Sequence, residues 1–577
     1  MRLTLQLIFV SLLLAISSSY AQTFWVAEKI AGTPPLGAPS PAGYGFSGNG
    51  SIAKDSPIGL GKGLTIDNAG NLYFTEGSPF LNENRIIRID LATNQYHLVT
   101  GSGVYGWLGD SLSVGPSNHV TFPGDIIWTP DNELFFAETA TGAGIGQRIR
   151  HIDLTAGEMY DVAGNGLSPF ETTGTGMLGY YDAADIKVFS PIGVAYHDNE
   201  LYWMEHSCVR KLATDGTVQL IAGNELGGIS PIPGDNFMTP PFVLDGEGAL
   251  TVDENGDIFW GSTDNTIKKY HVSSGYLETI VGTGDAGFNG DHLGNDTEIQ
   301  ECFGLQFLDG VLYFCDRKNG MVRTWDPDTD SVHTIFGEFG YDLSGDYEYN
   351  GDLVHGDSVA MRPSDLEFGD DGVIYVYDDY NLVIREFFLC TQATINGLTD
   401  VTPTCPGQTF EMTVDGDLGD ASSWDWVNGD CVSGDSLTSG ETVTIEMSSE
   451  PTTLHVVSNG KGTCAILGTP ACLGFEMSPI CSITNNTITP NGDDLNDFFE
   501  IDLIGEYPSN NLYIYNRFGL EVNVIKDYDN VDKVFSGQSA NLTELPGGSY
   551  YYIFEETDPA SGSPIGDVAN GWIHVLR

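Results

Sequence analysis

The first two thirds of the chain repeat one short hydrophobic pattern six times. In each copy, aliphatic and aromatic residues lead to a carboxylate, or once to a serine. Aromatic and β-branched residues in short runs are typical of β-strands. The six copies are Asn71–Glu76, Glu133–Glu138, Glu200–Glu205, Asp257–Ser262, Val311–Asp316 and Val373–Asp378.

Each copy lies inside a larger unit of four predicted strands. In the first unit, the strand Gly63–Asp67 precedes the hairpin-type turn Asn68–Gly70, and further strands follow at Arg85–Asp90 and before Gly101. A single four-stranded sheet leaves two apolar faces uncovered, and radial stacking of several such sheets covers them. The sequence therefore predicts an all-β fold whose main part is a six-bladed β-propeller.

The sixth unit lacks a fourth strand of its own. Its third strand ends near Phe388, and a different type of sequence begins at Cys390. The segment Phe24–Gly32, at the other end of this region, carries the ending found on the other fourth strands. We therefore expect the N-terminal strand to complete the last blade and to close the ring.

These motifs resemble the NHL-repeat propellers over about residues 24–389. The matching segments are Pro123-Gly124, Pro191–Gly193, Gly70–Tyr73 and Arg85–Asp90. The resemblance implies the propeller fold but not one activity, because propellers of this family include binding scaffolds and a few lyases. Segments after the fourth strands, such as 33–60 and 283–301, are rich in Gly, Pro, Asn and Asp. We expect these loops to emerge on one face.

Charge and targeting signals narrow the range of functions. The 577 residues carry a formal net charge of −57, which argues against nucleic-acid partners because these require clustered Lys and Arg. Residues 1–21 combine Arg2, the apolar run Leu5–Ile16 and a small-residue exit, which predicts a secretory signal peptide. No later apolar run is long enough for a membrane span, so we expect no transmembrane segment in the mature chain.

Two smaller modules are predicted after the propeller of residues 22–389. Residues 390–482 alternate short β-type runs with turns and resemble the Ig-like modules that accompany secretion domains in surface proteins of the Bacteroidetes type. Export permits disulfides, and the six cysteines from Cys390 to Cys481 allow fifteen pairings. In the propeller, Cys302 and Cys315 face each other if Leu308-Asp309 is the hairpin turn, which predicts a disulfide between them.

Residues 483–577 contain four spaced blocks: Ile488–Asp497, Leu512–Gly519, Leu545–Ile553 and Gly571–Arg577. They resemble the gliding-motility-associated C-terminal domain, the type-B sorting domain of type IX secretion. The chain departs from that family at Asp494 and at Phe535-Ser536. The resemblance implies that the type IX secretion machinery is a partner and that the protein is delivered to the cell surface or the medium.

The ends of the six repeated strands form one candidate site. Glu76, Glu138, Glu205, Asp316 and Asp378 occupy equivalent positions, with Ser262 in the fourth unit, and should form a ring near one mouth of the channel. One interpretation is a ring that binds a cation or another ligand. The alternative is structural: each carboxylate accepts backbone N–H groups or pairs with a base on the third strand. Those bases are Arg85, Arg148, Lys211, Lys269, Arg323 and Arg385.

The C-terminal part offers a candidate Ca²⁺ site. Asn491, Asp493, Asp494, Asn496 and Asp497 place oxygen ligands at close intervals, as a hard cation prefers. The segment lacks the twelve-residue loop and the distal glutamate of an EF-hand. An Asx turn that leads into a strand is the alternative.

Two classes of function remain. Aromatic residues in the propeller loops favour a binding protein that recognises a glycan, a peptide or a surface protein through one face. These residues are Tyr44, Phe46, Tyr105, Trp107, Tyr180, Tyr181 and Phe288. The alternative is a secreted lyase or hydrolase with its site at the channel mouth, which requires converging carboxylates or histidines with shifted pKa values. The histidines form no closely spaced ligand pair, and no catalytic motif is present in the sequence.

Overall fold

The computed structural model describes residues 23–34, 47–77, 83–108, 112–139, 147–164, 181–182, 186, 188–205, 208–223, 246–340, 349–369, 372–399, 409–431, 434–446, 452–459, 471–477, 486–501, 504–564 and 569–577. The predicted signal peptide lies outside these residues. The described part of the chain is built from β-strands and five single-turn 3₁₀ helices, at Ala53–Asp55, Gly294–Asp296, Arg317–Asn319, Gly356–Ser358 and Ile504–Glu506. Among these residues we find no helix with the length and hydropathy of a membrane span.

Thr23–Cys390 form one compact unit. Its strands are β1 (Thr23–Ala31), β2 (Leu64–Ile66), β3 (Asn71–Glu76), β4 (Asn84–Asp90), β5 (Gln95–Gly103), β6 (Leu112–Ser113), β7 (Pro123–Trp128), β8 (Leu134–Glu138), β9 (Arg148–Asp153), β10 (Glu158–Ala163), β11 (Tyr181–Asp182), β12 (Gly193–His197), β13 (Glu200–Met204), β14 (Cys208–Leu212), β15 (Thr217–Gly223), β16 (Gly246–Val252), β17 (Ile258–Ser262), β18 (Thr266–His271), β19 (Tyr276–Val281), β20 (Cys302–Leu308), β21 (Val311–Asp316), β22 (Met321–Asp326), β23 (Ser331–Phe336), β24 (Val354–His355), β25 (Pro363–Phe368), β26 (Ile374–Asp378) and β27 (Val383–Thr391).

The strands of this unit form six antiparallel sheets, which we number as blades. Blades 1 to 5 are β2–β5, β7–β10, β12–β15, β16–β19 and β20–β23, and blade 6 contains β25, β26, β27 and β1. The first strand of each blade contacts the first strand of the next, and β25 contacts β2. The predicted propeller is therefore confirmed as a closed ring of six blades with a central channel.

The N-terminal strand closes the ring as predicted. β1 lies next to β27 in blade 6 and supplies its missing fourth strand. Val26, Ala27 and Ala31 on β1 are fully buried. The two ends of the propeller sequence are therefore joined by one sheet, which ties the last blade to the first residues of the domain.

The segments between blades cover the outer edges of the sheets. β6 pairs with β10, β11 with β15 and β24 with β1, while Ile52 forms a bridge with Gln95 and Leu293 with Ser331. Exposed sheet edges invite pairing with other chains, so this cover protects the fourth strands. The described parts of these segments therefore lie along the rim of the propeller at blades 1, 2, 3, 5 and 6.

Thr391–Arg577 belong to a second compact unit. Its strands are β28 (Thr394–Leu398), β29 (Thr409–Asp417), β30 (Ser423–Asn428), β31 (Asp435–Ser439), β32 (Thr442–Glu446), β33 (Thr452–Asn459), β34 (Cys472–Met477), β35 (Thr487–Ile488), β36 (Asn510–Tyr515), β37 (Glu521–Lys526), β38 (Gly548–Glu556) and β39 (Ala569–Val575). Two sheets, β28-β29-β32 and β31-β30-β33-β34, share a core that contains Met412, Trp424 and Trp426. The sheet β35-β39-β38-β36-β37 has its own core around Phe499, Leu512 and Ile573.

The cysteines differ in part from the expectation. Cys431 and Cys472 form a disulfide, and Cys390 is also disulfide-bonded. The predicted bridge between Cys302 and Cys315 is wrong, because both residues are buried thiols. The reason is the hairpin register: Leu308 pairs with Val311, and a bulge between Cys302 and Leu305 places Cys302 opposite Asp316. Burial raises the pKa of the Cys315 thiol well above its usual range.

Candidate functional site

The five carboxylates at the ends of the second strands are all buried and paired with arginines. Their exposed fractions are at most 2%. Each arginine comes from the third strand of the same blade, so the pairing repeats around the ring. The closest distances are 3.5 Å for Glu76–Arg85, 3.3 Å for Glu138–Arg150, 2.7 Å for Glu205–Arg210, 3.1 Å for Asp316–Arg323 and 3.4 Å for Asp378–Arg385.

The same carboxylates also bind the backbone that leads into their blades. They accept N–H groups from Gly59, Thr121, Phe189, Gln300 and Arg362, at 2.8 to 3.1 Å. These contacts are those of the structural alternative, in which the carboxylates hold the inter-blade segments. Ser262 takes the equivalent place in blade 4 and is also buried.

Two of the arginine partners differ from those expected. Arg150, not Arg148, pairs with Glu138, and Arg210, not Lys211, pairs with Glu205. Arg148 and Arg150 lie on the same face of β9, where both also contact Asp161. Arg210 and Lys211 are neighbours and therefore point to opposite faces of the sheet. Lys211 instead pairs with Glu200 on the other face of its blade.

Burial is the largest influence on the pKa values of three of these carboxyl groups, Glu76, Glu138 and Asp316. It raises the pKa of Glu76 to about 7 and that of Asp316 to about 6, although Gly59 N–H and Arg323, respectively, oppose the shift. Burial also raises the pKa of Glu138. A free cation would have to displace an arginine that is itself fully buried in blades 2, 5 and 6. The buried carboxylate–arginine pairs therefore suit a structural role, in which they hold the blades together, better than the binding and release of a ligand.

Aromatic residues from the loops cover three arginines at the same end of the propeller. Phe288 lies 5.2 Å from the Arg323 guanidinium, Tyr349 lies 4.6 Å from Arg385, and Trp107 lies 4.2 Å from Arg148. Such stacking is a favourable cation–π contact.

Two of these loops add the same polar contacts. Arg323 donates to the Gly290 carbonyl at 2.8 Å, and Arg385 donates to the Gly351 carbonyl at 3.2 Å. Asp291 then accepts the backbone N–H of Thr334 on the fourth strand. The aromatic residue, the glycine and the aspartate together fasten the loop to the buried arginine.

The seven predicted ligand-binding aromatics have different environments. Phe288 is half-buried and stacks on Phe339 at 4.7 Å. Tyr105 is half-buried, while Trp107 is 41% exposed. Tyr181 lies in β11, and Tyr44, Phe46 and Tyr180 lie outside the described residues.

One end of the propeller exposes apolar side chains that include aromatics. Val104, Trp107 and Leu108 follow the fourth strand of blade 1 and are 46%, 41% and 53% exposed, and Phe339 after blade 5 is 44% exposed. At the opposite end, the exposed apolar residues that the structure describes are aliphatic: Leu154, Val272 and Leu308. Exposed aromatic residues are typical of recognition surfaces. We call Val104, Trp107, Leu108 and Phe339 the loop-face patch; they share one end of the propeller, where the first three follow blade 1 and Phe339 follows blade 5, with blade 6 between them.

The segment Asn491–Asp497 has the hydrogen bonds of an Asx turn. Asp497 accepts the backbone N–H groups of Asn491, Gly492 and Asp494 at 2.8 to 2.9 Å. Asn491 and Asp493 also accept backbone N–H groups within the segment. The N–H groups of Gly492, Asn491 and Asp494 that Asp497 accepts lower the pKa of its carboxyl group. The side-chain oxygens thus accept hydrogen bonds from the backbone of the turn itself, which is the arrangement predicted for an Asx turn.

The described residues contain one cluster of groups that could hold a metal, formed by Cys431, His455 and Cys472. The two cysteines are joined as a disulfide, which removes the thiolates that a metal needs.

The central channel contains a cavity of about 260 Å³. All six first strands line it, and its acidic residues are Asp125, Asp365 and Glu367. Asp125 accepts the Val194 N–H of blade 3 at 2.9 Å, and Asp365 accepts the Leu64 N–H of blade 1 at 2.6 Å. Both aspartates therefore link neighbouring blades at the channel wall.

The two channel aspartates face small residues in the adjacent blades. A Cβ atom on Gly63 would lie 2.8 Å from the Asp125 Cα, and one on Gly304 would lie 2.6 Å from the Asp365 Cα. Glycine is thus required at these positions for the strands to approach each other. Burial raises the pKa of Asp125 and of Glu367 to about 7, while burial and the charge of Asp125 raise that of Asp365 well above its usual range.

The raised pKa of Asp125 predicts a pH dependence of stability. Its proton is held more tightly in the folded chain, so the stability that it contributes is fully present below its ordinary pKa of 3.8 and is lost as the pH rises from there to about 7. We expect Asp125→Asn, which mimics the protonated acid, to flatten the decline in unfolding free energy between about pH 4 and pH 7. The largest slope that one proton contributes is about 1.4 kcal/mol per pH unit. Urea unfolding at several pH values measures this difference, and an equal effect of the variant at every pH would contradict it.

Sequence reasoning missed the channel acids and the aromatic contacts. Asp125, Asp365 and Glu367 lie within predicted strands, and a carboxylate inside an apolar strand was the available signal. The contacts between loop aromatics and arginines could also have been found from the sequence. Their signal is an aromatic residue that is followed two positions later by Gly and three positions later by Asp or Asn. It occurs at Phe46–Asn49, Trp107–Asp110, Phe288–Asp291 and Tyr349–Asp352.

Comparison with known proteins identifies the last module. Residues 481–575 match the CHU_C type IX secretion signal domain. The protein is therefore a secreted or cell-surface protein. This signal domain agrees with the resemblance seen in the sequence, and it indicates export by the type IX secretion machinery. No curated protein matches the chain.

Solved structures that resemble the chain do so at low identity and with TM-scores below 0.5. A structural genomics protein of unknown function from Bacteroides thetaiotaomicron is 13% identical, with a TM-score of 0.44 and coverage of 64% of this chain and 76% of that one. The calcium-binding protein regucalcin from Agrobacterium tumefaciens is 12% identical, with a TM-score of 0.34 and coverage of 60% and 95%.

Proposed function

We propose that this protein is an exported binding protein whose propeller recognises a glycan, a peptide or a surface protein through its loop face. In this proposal the propeller is of the NHL type, residues 1–21 are a signal peptide, and residues 390–482 are an Ig-like spacer. The secretion signal domain brings the propeller to the cell surface or the medium. In this proposal the exported propeller binds a ligand and does not catalyse a reaction.

The observation that carries the proposal is the loop-face patch. Its aromatic members, Trp107 and Phe339, are held in place by the neighbouring Arg148 and Phe288. A rigid aromatic side chain loses little conformational entropy on binding, and such residues often dominate interface energies. The acidic total charge favours ligands with cationic groups.

The ring of buried carboxylates supports a structural role for the repeated polar groups and a binding role for the loops. Its members already bind arginines and backbone N–H groups, so the polar groups that repeat around the propeller are engaged in holding it together. Exposed loop residues outside the repeated aromatic motif, such as Val104 and Phe339, are the ones free to differ between blades, whereas Trp107 belongs to that motif and is also partly exposed. Specific recognition in a repeated scaffold depends on such positions.

We expect Trp107→Ala to weaken ligand binding at least tenfold, because it removes a partly exposed aromatic anchor. The full chain would be screened against a glycan array and an array of surface peptides, and the affinity of any hit measured for the wild type and the variant. Leu308→Ala is the matched control, since Leu308 is 39% exposed at the opposite end of the propeller. Equal weakening by both variants, or no binding to either array, would contradict the proposal.

A further inference from the structure

The sheet of the C-terminal module has one face buried and one open face. Leu512, Ile514, Tyr552 and Ile573 point into the core and are buried. Side chains alternate along a strand, so their neighbours point to the other face. No strand of the described residues pairs or packs over that second face.

Aromatic side chains form a row across this open face. Tyr515 on β36 lies opposite Tyr551 on β38, which lies opposite Trp572 on β39. Trp572 is 49% exposed, and its ring centre lies 5.2 Å from that of Tyr551. The next row contains Tyr513 and Ile553, which are also directly paired. We call Tyr515, Tyr551 and Trp572 the aromatic row.

The tip of the adjoining hairpin is even more exposed. Phe518 and Leu520, between β36 and β37, are 80% and 66% exposed. Arg517 stacks on Phe518 at 4.9 Å. Exposed apolar residues in the hairpin that directly follows Tyr515 add to the features that mark a protein interface.

Carboxylates lie beside the aromatic row. The charges of Glu555 and Glu521 add to burial in raising the pKa of Tyr513 and Tyr515, which places both glutamates near these hydroxyls. The chain from residue 481 onward contains fifteen acidic and four basic residues. A partner of this face should therefore combine apolar side chains with basic ones.

We propose that the aromatic row is the surface by which the type IX secretion machinery recognises this chain, through a protein component that presents apolar and basic side chains. The match of residues 481–575 to a secretion signal domain requires a feature that the machinery can contact. The row is the aromatic surface that the open sheet face offers. This inference rests on export by that machinery and not on ligand binding by the propeller.

The geometry of the row favours a protein over a sugar. The planes of Tyr551 and Trp572 meet at 66°, so one ring presents its edge to the other. Edge-to-face packing is a favourable arrangement of aromatic pairs, and exposed Tyr and Trp side chains are enriched at protein interfaces. The acidic residues beside the row add specificity for basic side chains.

The test is export of the full chain in a bacterium that has the type IX secretion machinery. The double variant Tyr551→Ser/Trp572→Ser should lower the fraction of the protein at the surface or in the medium about tenfold and raise the periplasmic fraction. Tyr551→Phe and Trp572→Phe should restore export, because they keep the aromatic surface. Val531→Ser is the matched control, since Val531 is 76% exposed in the same module.

Folding and the competing ligand are controlled separately. Thermal unfolding of the purified chains shows whether the double variant folds, and if it does not, the single variant Trp572→Ser at the exposed position decides the question. Wild-type export by a folded variant would overturn the inference, as would an equal loss in Val531→Ser. Normal export combined with lost binding to a glycan array would overturn it in favour of a sugar site. Propeller binding of the array ligands is measured independently, so its failure leaves the export result interpretable.

Discussion

Replacing Arg323 with methionine is expected to lower the free energy of unfolding of the propeller by about 3–5 kcal/mol. Arg323 is fully buried and pairs with Asp316, which is also fully buried. It donates further hydrogen bonds to the carbonyls of Glu298 and Gly290. Methionine fills part of the volume but leaves Asp316 and both carbonyls without this donor, and an uncompensated buried group is costly. Urea unfolding of the full chain measures the change.

A nearby exposed pair provides the control for this experiment. Lys318 pairs with Glu301, and its side chain is 37% exposed. Lys318→Met should change the unfolding free energy by less than about 1 kcal/mol, as is usual for exposed ion pairs. The double variant Asp316→Asn/Arg323→Met should recover part of the loss, because it also removes the buried charge. Similar losses in the Arg323 and Lys318 variants would show that the buried pairs do not hold the blades.

Removal of residues 23–31 is expected to have a still larger effect, namely loss of the cooperative unfolding transition of the propeller. The deletion leaves β27 as an open edge and exposes the core of blade 6 that Val26, Ala27 and Ala31 cover. An open apolar edge also promotes aggregation. Thermal unfolding and size-exclusion chromatography of the truncated chain measure both consequences.

A synthetic peptide of residues 23–32 separates closure from general damage. If the strand closes the ring, the added peptide should restore solubility and the unfolding transition, while a scrambled peptide should not. A truncated chain that unfolds at the wild-type midpoint without the peptide would contradict the role of β1.

The repeats made the architecture predictable because each blade must bury the same two faces. The strand Asn71–Glu76 and its copies marked the second strand of every blade, and the missing strand of blade 6 required a substitute, which Phe24–Gly32 supplied. Such inferences need only the hydrophobic period and the count of strands. The C-terminal module was likewise recognisable because its four sequence blocks occur in order.

The contacts of individual side chains were less predictable, because they depend on register. Cys302 missed Cys315 because the hairpin turn lies at Asp309-Gly310, one residue later than expected. Arg148 and Arg150 lie on the same face of their strand, and which of the two reaches Glu138 could not be predicted from the sequence. Asp125 and Asp365 became channel residues through the tight approach of Gly63 and Gly304. Sequence patterns predict that a strand exists more readily than which neighbour each of its side chains meets.

Amide hydrogen exchange of β1 in the full chain tests the central claim most directly, namely that the propeller is a ring closed by its N-terminal strand. The amides of Val26–Ala31 should exchange with the same opening free energy as those of Val383–Phe387 on β27, since both strands belong to one cooperative sheet. Exchange of Val26–Ala31 at the rate of a free chain terminus, with β27 still protected, would contradict the account.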